Sequence, residues 1–542
     1  MRHLSPEVLR EIFLLLHPDD QMECMLVCHR WRLITEQFIL HQTVVISSMN
    51  SLNEFLKNIQ QNPEIASKVE RLVLYLEYEF GEVNRNTLLS LLPNIKTFYS
   101  AGPDSAEQIL EESTHYPWHK NIEHISEYSP LSITYQLLST NMCPHLTTLD
   151  ICEFEKDILP FLKNAPALRY LALGGYSKIY FSDLDTIHTN LPHIKILKVT
   201  DLSFDGSGFD ERVKPAISVT EFSFYRVYMK NLQIRTDMLR YISKKYPNLV
   251  NLEYDVFNVL KNDDDVDYFN KYGWTPFIQA LGHKLKKLCI SHTGQIKDFI
   301  GALEKHTSRI DFLKVGSLPH ASLQRIAMSQ QTFYIQTLVL ESPVFGNFHW
   351  LNEFQVLKSL TLSSFGFNTR ATIKINDVLD NCPPLVTSLT FDRITLSTDL
   401  DYTGLSNIES LSFVFVDLPV HIDTFISRHF PKISYLKLDN CKDIFRRIFN
   451  LATANLSVFH YQGPFIDEES HLLVLTLNND ERRWYAPRGS RGYRYYIPFK
   501  ESCATYDFLL YPPIKSRLID EMKAVPLLTL LCNSLRNAYI MK

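Results

Sequence analysis

The chain has 542 residues, 45% hydrophobic and 21% charged, with a formal net charge of -5 and a pI near 6.4. It is too apolar for a disordered chain, too long for one compact core, and too weakly charged for a protein whose whole surface engages nucleic acid. The nine cysteines are dispersed, which reads as reduced, buried thiols. No secretory leader or bilayer-length apolar run is expected, so the predicted setting is cytoplasmic and/or nuclear, without a membrane contact.

In chain order, Leu4 to Ile34 predicts short helices. Ser5 is a candidate N-cap ahead of Pro6 and Glu7, and Val8, Leu9, Ile12, Phe13, Leu15 and Leu16 put apolar residues on more than one side. Pro18 ends that helix. Asp20 can cap a second one carrying Met22, Met25 and Leu26, and a third carries Trp31, Ile34 and Phe38. A unit this short is near the size at which a core stops being self-sufficient, so part of its apolar surface should be buried on a partner or on the rest of the chain. Cys24 and Cys28 lie four apart on a helix, but no further ligand set accompanies them, so thiols rather than a metal site are expected.

The stretch LSPEVLREIFLLLHPDDQMECMLVCHRWRLI resembles an F-box. Leu4, Pro6, Glu7, Val8, Leu9, Ile12, Phe13, Leu16, Asp20, Val27, Cys28 and Trp31 follow that family's order and spacing. Ser5 stands where the family often has proline, and Gln21 where it often has leucine. The resemblance covers less than a tenth of the chain. It implies that Leu4, Pro6, Ile12, Phe13, Leu16, Val27 and Trp31 form or support the surface that docks the Skp adaptor, which in turn bridges to a cullin. The domain reading is an F-box over 1–46, a linker or first solenoid cap over 47–68, a leucine-rich-repeat solenoid over 69–462, and a C-terminal cap or extension over 463–542.

From Val69 onward a unit of the form apolar-x-x-apolar-x-apolar recurs, often preceded by proline. CPHLTTLDI, APALRYLAL, LPHIKILKV, YPNLVNLEY and FPKISYLKL are the clearest copies. Other copies start at Val69, Ile95, Ile122, Leu285, Ile310, Ile335, Leu357, Val386, Ile408 and Leu456, with a weak one at Val219. The usual step is about 22–30 residues, within the leucine-rich-repeat range. The alternating run predicts a strand. Helical spacing follows in many units, as in Leu184, Ile187 and Leu191, or Ile296, Phe299, Ile300 and Leu303. The expected fold is therefore α/β: a short all-helical F-box, then a curved solenoid with parallel strands inside and helices outside. A doubly wound sheet needs longer strands and would not keep this step.

Strand residues that alternate with the buried ones should line the inner face. They include Arg71, Tyr99, Asp150, Tyr170, Lys198, Tyr225, Glu253, Lys287, Lys314, Glu341, Thr361, Asp392, Tyr435, Lys437 and His460. Tyrosine beside mixed charge suits protein recognition, so Tyr99, Tyr170, Lys198, Tyr225, Lys287, Lys314, Tyr435 and Lys437 are candidate substrate contacts. The step lengthens between Tyr254 and Leu285. KNDDDVDYFNKYGW there reads as a solvated acidic loop, since Tyr268 and Trp274 occupy the positions where a calcium loop needs glycine and glutamate. After Tyr461 the repeats fade. Leu472 to Leu477 predicts a strand, RRWYAPRGSRGYRYY (482–496) a basic aromatic tract, and Pro526 to Met541 an apolar helix. A cap is the expected role for this segment, and RNA binding through the tract is the sharper alternative. The family resemblance implies that the solenoid end can also help hold a ligand, which makes Arg482 and Trp484 further substrate candidates.

No phosphate loop, dinucleotide loop or HExxH motif occurs. No catalytic residue, cofactor or metal is expected. The functional expectation is a substrate-recognition subunit of a Skp–cullin–F-box ubiquitin ligase, whose partners are the Skp adaptor, a cullin through it, and an unknown protein substrate. A non-degradative scaffold using the same adaptor is the alternative. Nucleic acid is not an expected partner on this composition.

Overall fold

The computed structural model describes residues 42–46, 49–75, 90–101, 117–127, 133–140, 142–175, 177–206, 212–229, 231–257, 268–290, 297–306, 309–316, 320–341, 347–364, 370–399 and 401–441. It also describes single positions within 5–34, residue 88, and the strands of 447–541. Two compact units result: residues 1–259 with 272–281, and 260–271 with 282–542.

The strands of the first unit are β1 (Thr43–Ile46), β2 (Arg71–Tyr75), β3 (Thr97–Ala101), β4 (His124–Glu127), β5 (Thr148–Ile151), β6 (Tyr170–Gly174), β7 (Lys178–Tyr180), β8 (Ile196–Thr200), β9 (Ser203–Asp205), β10 (Glu221–Met229) and β11 (Asn251–Phe257). The main ladder is parallel throughout and runs β1-β2-β3-β4-β5-β6-β8-β10-β11. Its register sets Leu72, Phe98, Ile125, Leu149, Leu171, Leu197, Phe222 and Leu252 side by side, and all of them are buried. One repeat cannot bury such a residue alone; each is covered by its neighbours in the next repeats.

The connections follow local chemistry. Helix Leu232–Lys245 starts at Asn231, whose side chain accepts a hydrogen bond from the Ile234 amide at 2.9 Å. Helix Phe181–Asn190 starts where the Tyr180 amide donates to Asp183 at 2.9 Å, and it buries Phe181, Leu184 and Ile187. Lys156–Asn164 is a 3-10 segment with Pro160 inside it; proline removes a donor, and the tighter turn still buries Ile158, Leu159 and Leu162.

The second unit repeats the plan with β12 (Lys287–Ile290), β13 (Phe312–Gly316), β14 (Thr337–Glu341), β15 (Ser359–Ser363), β16 (Thr372–Lys374), β17 (Ser388–Asp392), β18 (Thr395–Ser397), β19 (Ser410–Val414), β20 (Tyr435–Asp439) and β21 (Arg447–Gln462). The parallel order is β12-β13-β14-β15-β17-β19-β20-β21. Leu288, Leu313, Leu338, Leu360, Leu389, Leu411 and Leu436 form its buried row. The last strands are β22 (Leu473–Leu477), β23 (Arg482–Arg488), β24 (Tyr495–Phe499) and β25 (Leu528–Met541). β25 pairs in parallel with both β21 and β22, and β22, β23 and β24 are antiparallel.

Two devices tie repeat to repeat outside the strands. Three residues before the strand, a side chain donates to a carbonyl of the preceding repeat: Asn94 to Ser67, Asn121 to Pro93, Ser218 to Pro192, Asn248 to Ile217 and Asn407 to Pro384, at 2.6–3.4 Å. Just past the fifth strand position the chain turns a left-handed corner, at Gly175, Asp201, Arg226, Arg393, Phe415 and Asn440. Gly175, Asp201 and Arg226 lead into a second, short parallel ladder, β7-β9-β10, in the first unit, and Arg393 leads into β18 of the β16-β18 ladder in the second. Gly175 is required as glycine: its φ is 114°, and an added Cβ would stand 3.0 Å from the Cys152 carbonyl oxygen.

The predicted repeat starts all carry strands, including the weak copies at Ile122 and Val219. β1, inside the stretch read as F-box, makes the first strand pair with β2, and the stretch 47–68, read as a linker or first solenoid cap, carries helices Met49–Gln61 and Glu64–Lys68 with Leu52 and Ile59 buried. Two expectations are corrected. The apolar run after Pro526 is a strand rather than a helix, because it covers the open edge of β21. In the long step after Tyr254, residues 268–281 are helical rather than loop; Trp274 is buried edge-on to Tyr254 with ring centres 5.6 Å apart. Residues 258–267, with Asp263 to Asp267, lie outside the described residues.

Candidate recognition surface

In β8, β14, β17 and β19 the second and fourth side chains are buried and the first, third and fifth are partly exposed; β13, β15 and β20 differ only in burying the fifth, and β6 in burying the third, Ala172. The parallel register repeats that choice from strand to strand, so each unit has one open sheet face built from rows of the same strand position. The predicted inner-face residues fall on these rows.

In the first unit, Tyr99, Tyr170, Lys198 and Tyr225 are all half-buried on the open face. Tyr99 stands opposite Ser126, and Tyr225 opposite Thr200 beside the left-handed corner at Arg226. The Lys198 ammonium lies 5.3 Å from the centre of the Tyr170 ring, within reach of a cation–π contact. Asp150 is on the same face; burial raises its carboxyl above the usual carboxylate range, and Lys198 partly opposes that. Farther along, Ser223 donates to Glu253 at 2.6 Å and Asn251 to Glu221 at 3.2 Å.

In the second unit the face is quieter. Lys314 pairs with Glu341 at 2.9 Å, and Lys437 with Asp439 at 2.8 Å. Lys287 sits 5.1 Å from the Phe312 ring centre. Burial raises the Asp392 carboxyl, although one oxygen accepts from Ser363 at 2.8 Å and Arg393 stands 3.8 Å from the other. The middle of the face is small and hydroxylated, with Ser359, Thr361, Ser388, Thr390, Ser410 and Ser412 in register. Tyr435 is half-buried beside Ser410. The candidates on each unit's strands thus share that unit's open face, but Lys314 and Lys437 are already neutralised within it.

Of the predicted adaptor contacts, Leu4, Ile12, Phe13, Leu16 and Val27 lie outside the described residues. Pro6 is exposed, Trp31 is partly exposed, and both are helical. The Ser5 hydroxyl accepts from the Val8 amide at 3.4 Å, in agreement with the predicted cap, and Leu9 and Ile34 are buried. Arg482 and Trp484 are placed only by strand register, opposite Thr476 and Val474. Among the described residues there is no cluster of three or more metal-ligating side chains, and no helix long and apolar enough to cross a membrane.

Residues 3–47 match the F-box-like family. Comparison with curated proteins finds no match. Among solved structures, the crystal structure of a TLR13–ssRNA13 complex is similar with a TM-score of 0.36 at 14% identity, covering 78% of this chain and 61% of that one. The chain thus spans about three fifths of the length of that protein. The chain joins an F-box-like domain to an α/β array of parallel-strand repeats.

Proposed function

We propose that this chain is the substrate-recognition subunit of a Skp–cullin–F-box ubiquitin ligase. The observation that carries the reading is the F-box-like match over residues 3–47, which runs without a break into a repeat array with an open, tyrosine-bearing face. An F-box gives the chain a docking module for the Skp adaptor, and a cullin joins through that adaptor. The repeat face selects the protein to be ubiquitinated. The chain supplies no reacting group. It raises the effective concentration of a substrate lysine beside a charged ubiquitin-conjugating enzyme held elsewhere in the complex. The expected compartment is the cytoplasm or the nucleus.

The test is co-purification of the tagged chain from cells, beside a variant carrying Leu16→Asp and Trp31→Ala. The reading expects adaptor and cullin with the native chain and neither with the variant, while circular dichroism shows both folded. Adaptor without cullin would replace the ligase reading with a non-degradative scaffold. Absence of both from a folded native chain would overturn the adaptor role.

A further inference from the structure

The open face of the first unit carries two opposite charges that make no direct ion pair with each other. Asp150 has neither a hydrogen bond nor an ion pair among the described residues, although it is half-buried. Lys198 has no carboxylate within ion-pair distance among them; its neighbour is the Tyr170 ring. The register β5-β6-β8 sets Asp150, Ala172 and Lys198 in one row. Their strand positions therefore stand two strand spacings apart, about 10 Å. Across that gap the Lys198 charge acts on Asp150 without a direct ion pair. Between them Ala172 is a small, buried floor, and Gly174 next along β6 adds no side chain. The second unit resolves the same problem internally, since Lys314 and Lys437 each hold a carboxylate.

A half-buried carboxylate without a donor has lost part of its hydration, and the Lys198 charge offsets only part of that loss. A basic side chain from outside restores that loss through a charge-assisted hydrogen bond. Lys198 then selects against a second cation in the adjoining position and favours an anion. The acids on the far flank do not compete for it at close range, because Glu221 is held by Asn251 and Glu253 by Ser223.

We propose that this notch docks a protein segment presenting one basic and one acidic side chain about 10 Å apart, the basic one on Asp150 and the acidic one on Lys198. The inference builds on the reading of the repeat face as a protein-recognition surface. A purely basic or purely acidic segment satisfies one pole and is repelled by the other.

The full chain can be tested with a displayed library of random peptides as the probe, sorted on the native protein and on Asp150→Lys, Lys198→Glu and the double reversal. The native chain is expected to enrich peptides with a paired base and acid. Each single reversal should weaken those peptides about tenfold, and the double reversal should recover peptides with the two charges exchanged. Circular dichroism monitors folding; if a reversal unfolds the chain, Asp150→Asn and Lys198→Gln serve the same comparison and should also weaken binding. Enriched peptides indifferent to all of these substitutions would overturn the notch, and so would failure of the native chain to enrich any charge pair. Either result, obtained while adaptor and cullin still co-purify, leaves the ligase reading standing. Loss of the adaptor with notch-dependent peptide binding intact would remove the ligase reading alone.

Discussion

His188 lies on the buried side of helix Phe181–Asn190. Its Nε2 is 2.9 Å from the Tyr246 hydroxyl, and its Nδ1 is buried without a hydrogen-bond partner. Lys245, itself buried, reaches Asp185 at 2.5 Å, and Tyr241 donates to the same carboxylate at 2.9 Å. Burial, then the nearby Lys245 charge, depresses the His188 pKa from 6.5 to about 3. The folded protein therefore resists a proton that the unfolded chain accepts. Stability from this site is complete above pH 6.5 and falls as the pH drops toward 3. By pH 5 the loss is about 2 kcal/mol. Urea unfolding at pH 7.5 and pH 5 should show it, and His188→Gln, which can still bond Tyr246, should flatten the difference. An unchanged pH dependence in that variant would place the acid sensitivity elsewhere. Residue-scale features such as this were hidden from sequence reading because the partners are distant along the chain: His188 and Tyr246 are 58 residues apart. The same holds for Lys314. Alternation put it on the open face, but nothing in the periodicity revealed that Glu341 of the next repeat neutralises it.

At the scale of the element, the strands were legible because a one-sided strand must alternate and parallel stacking repeats the choice in every copy. The connections between strands were less legible. The proline that often precedes a strand was visible in the sequence, yet its role as an acceptor for the next repeat was not. Asn121 and Asn407 donate to Pro93 and Pro384, and Asn248 makes the equivalent bond to Ile217. Replacing Asn94 or Asn248 by alanine should cost about 1 kcal/mol each. The two sites lie in separate repeats and share no partner, so the double variant should show the sum. Asn248→Ser should cost less, since Ser218 makes the equivalent bond to Pro192 at 2.8 Å. Urea titration of the four variants decides this; a double variant no worse than either single would show that the bonds do not act locally. The left-handed corners gave no usable sequence signal, because only Gly175 is a glycine and Arg226, Arg393 and Phe415 are residue types that seldom adopt positive φ.

Across the whole molecule, the two modules share a strand. The F-box-like match ends at residue 47, while β1 at Thr43–Ile46 already pairs in parallel with β2. Ile46 is buried in that first repeat, and Leu52 and Ile59 of helix Met49–Gln61 are buried with it. A boundary drawn at residue 46 therefore separates β1 from its partner strand β2. Removing residues 1–62 deletes β1 and its helix, uncovers the backbone edge of β2, and exposes the apolar row that begins at Leu72 and Leu74. Such an edge is a template for association with a second chain. A chain starting at residue 42 keeps β1 and should remain monodisperse on size exclusion with cooperative thermal unfolding. A chain starting at residue 63 should elute as aggregate, or melt lower when monomeric. Equal behaviour of the two would mean that the array closes at β2 and that β1 belongs with the F-box in stability as well as in sequence. The expected difference instead makes the first repeat a joint: the strand that ends the F-box-like match is also the cap without which the repeat array loses its closed edge.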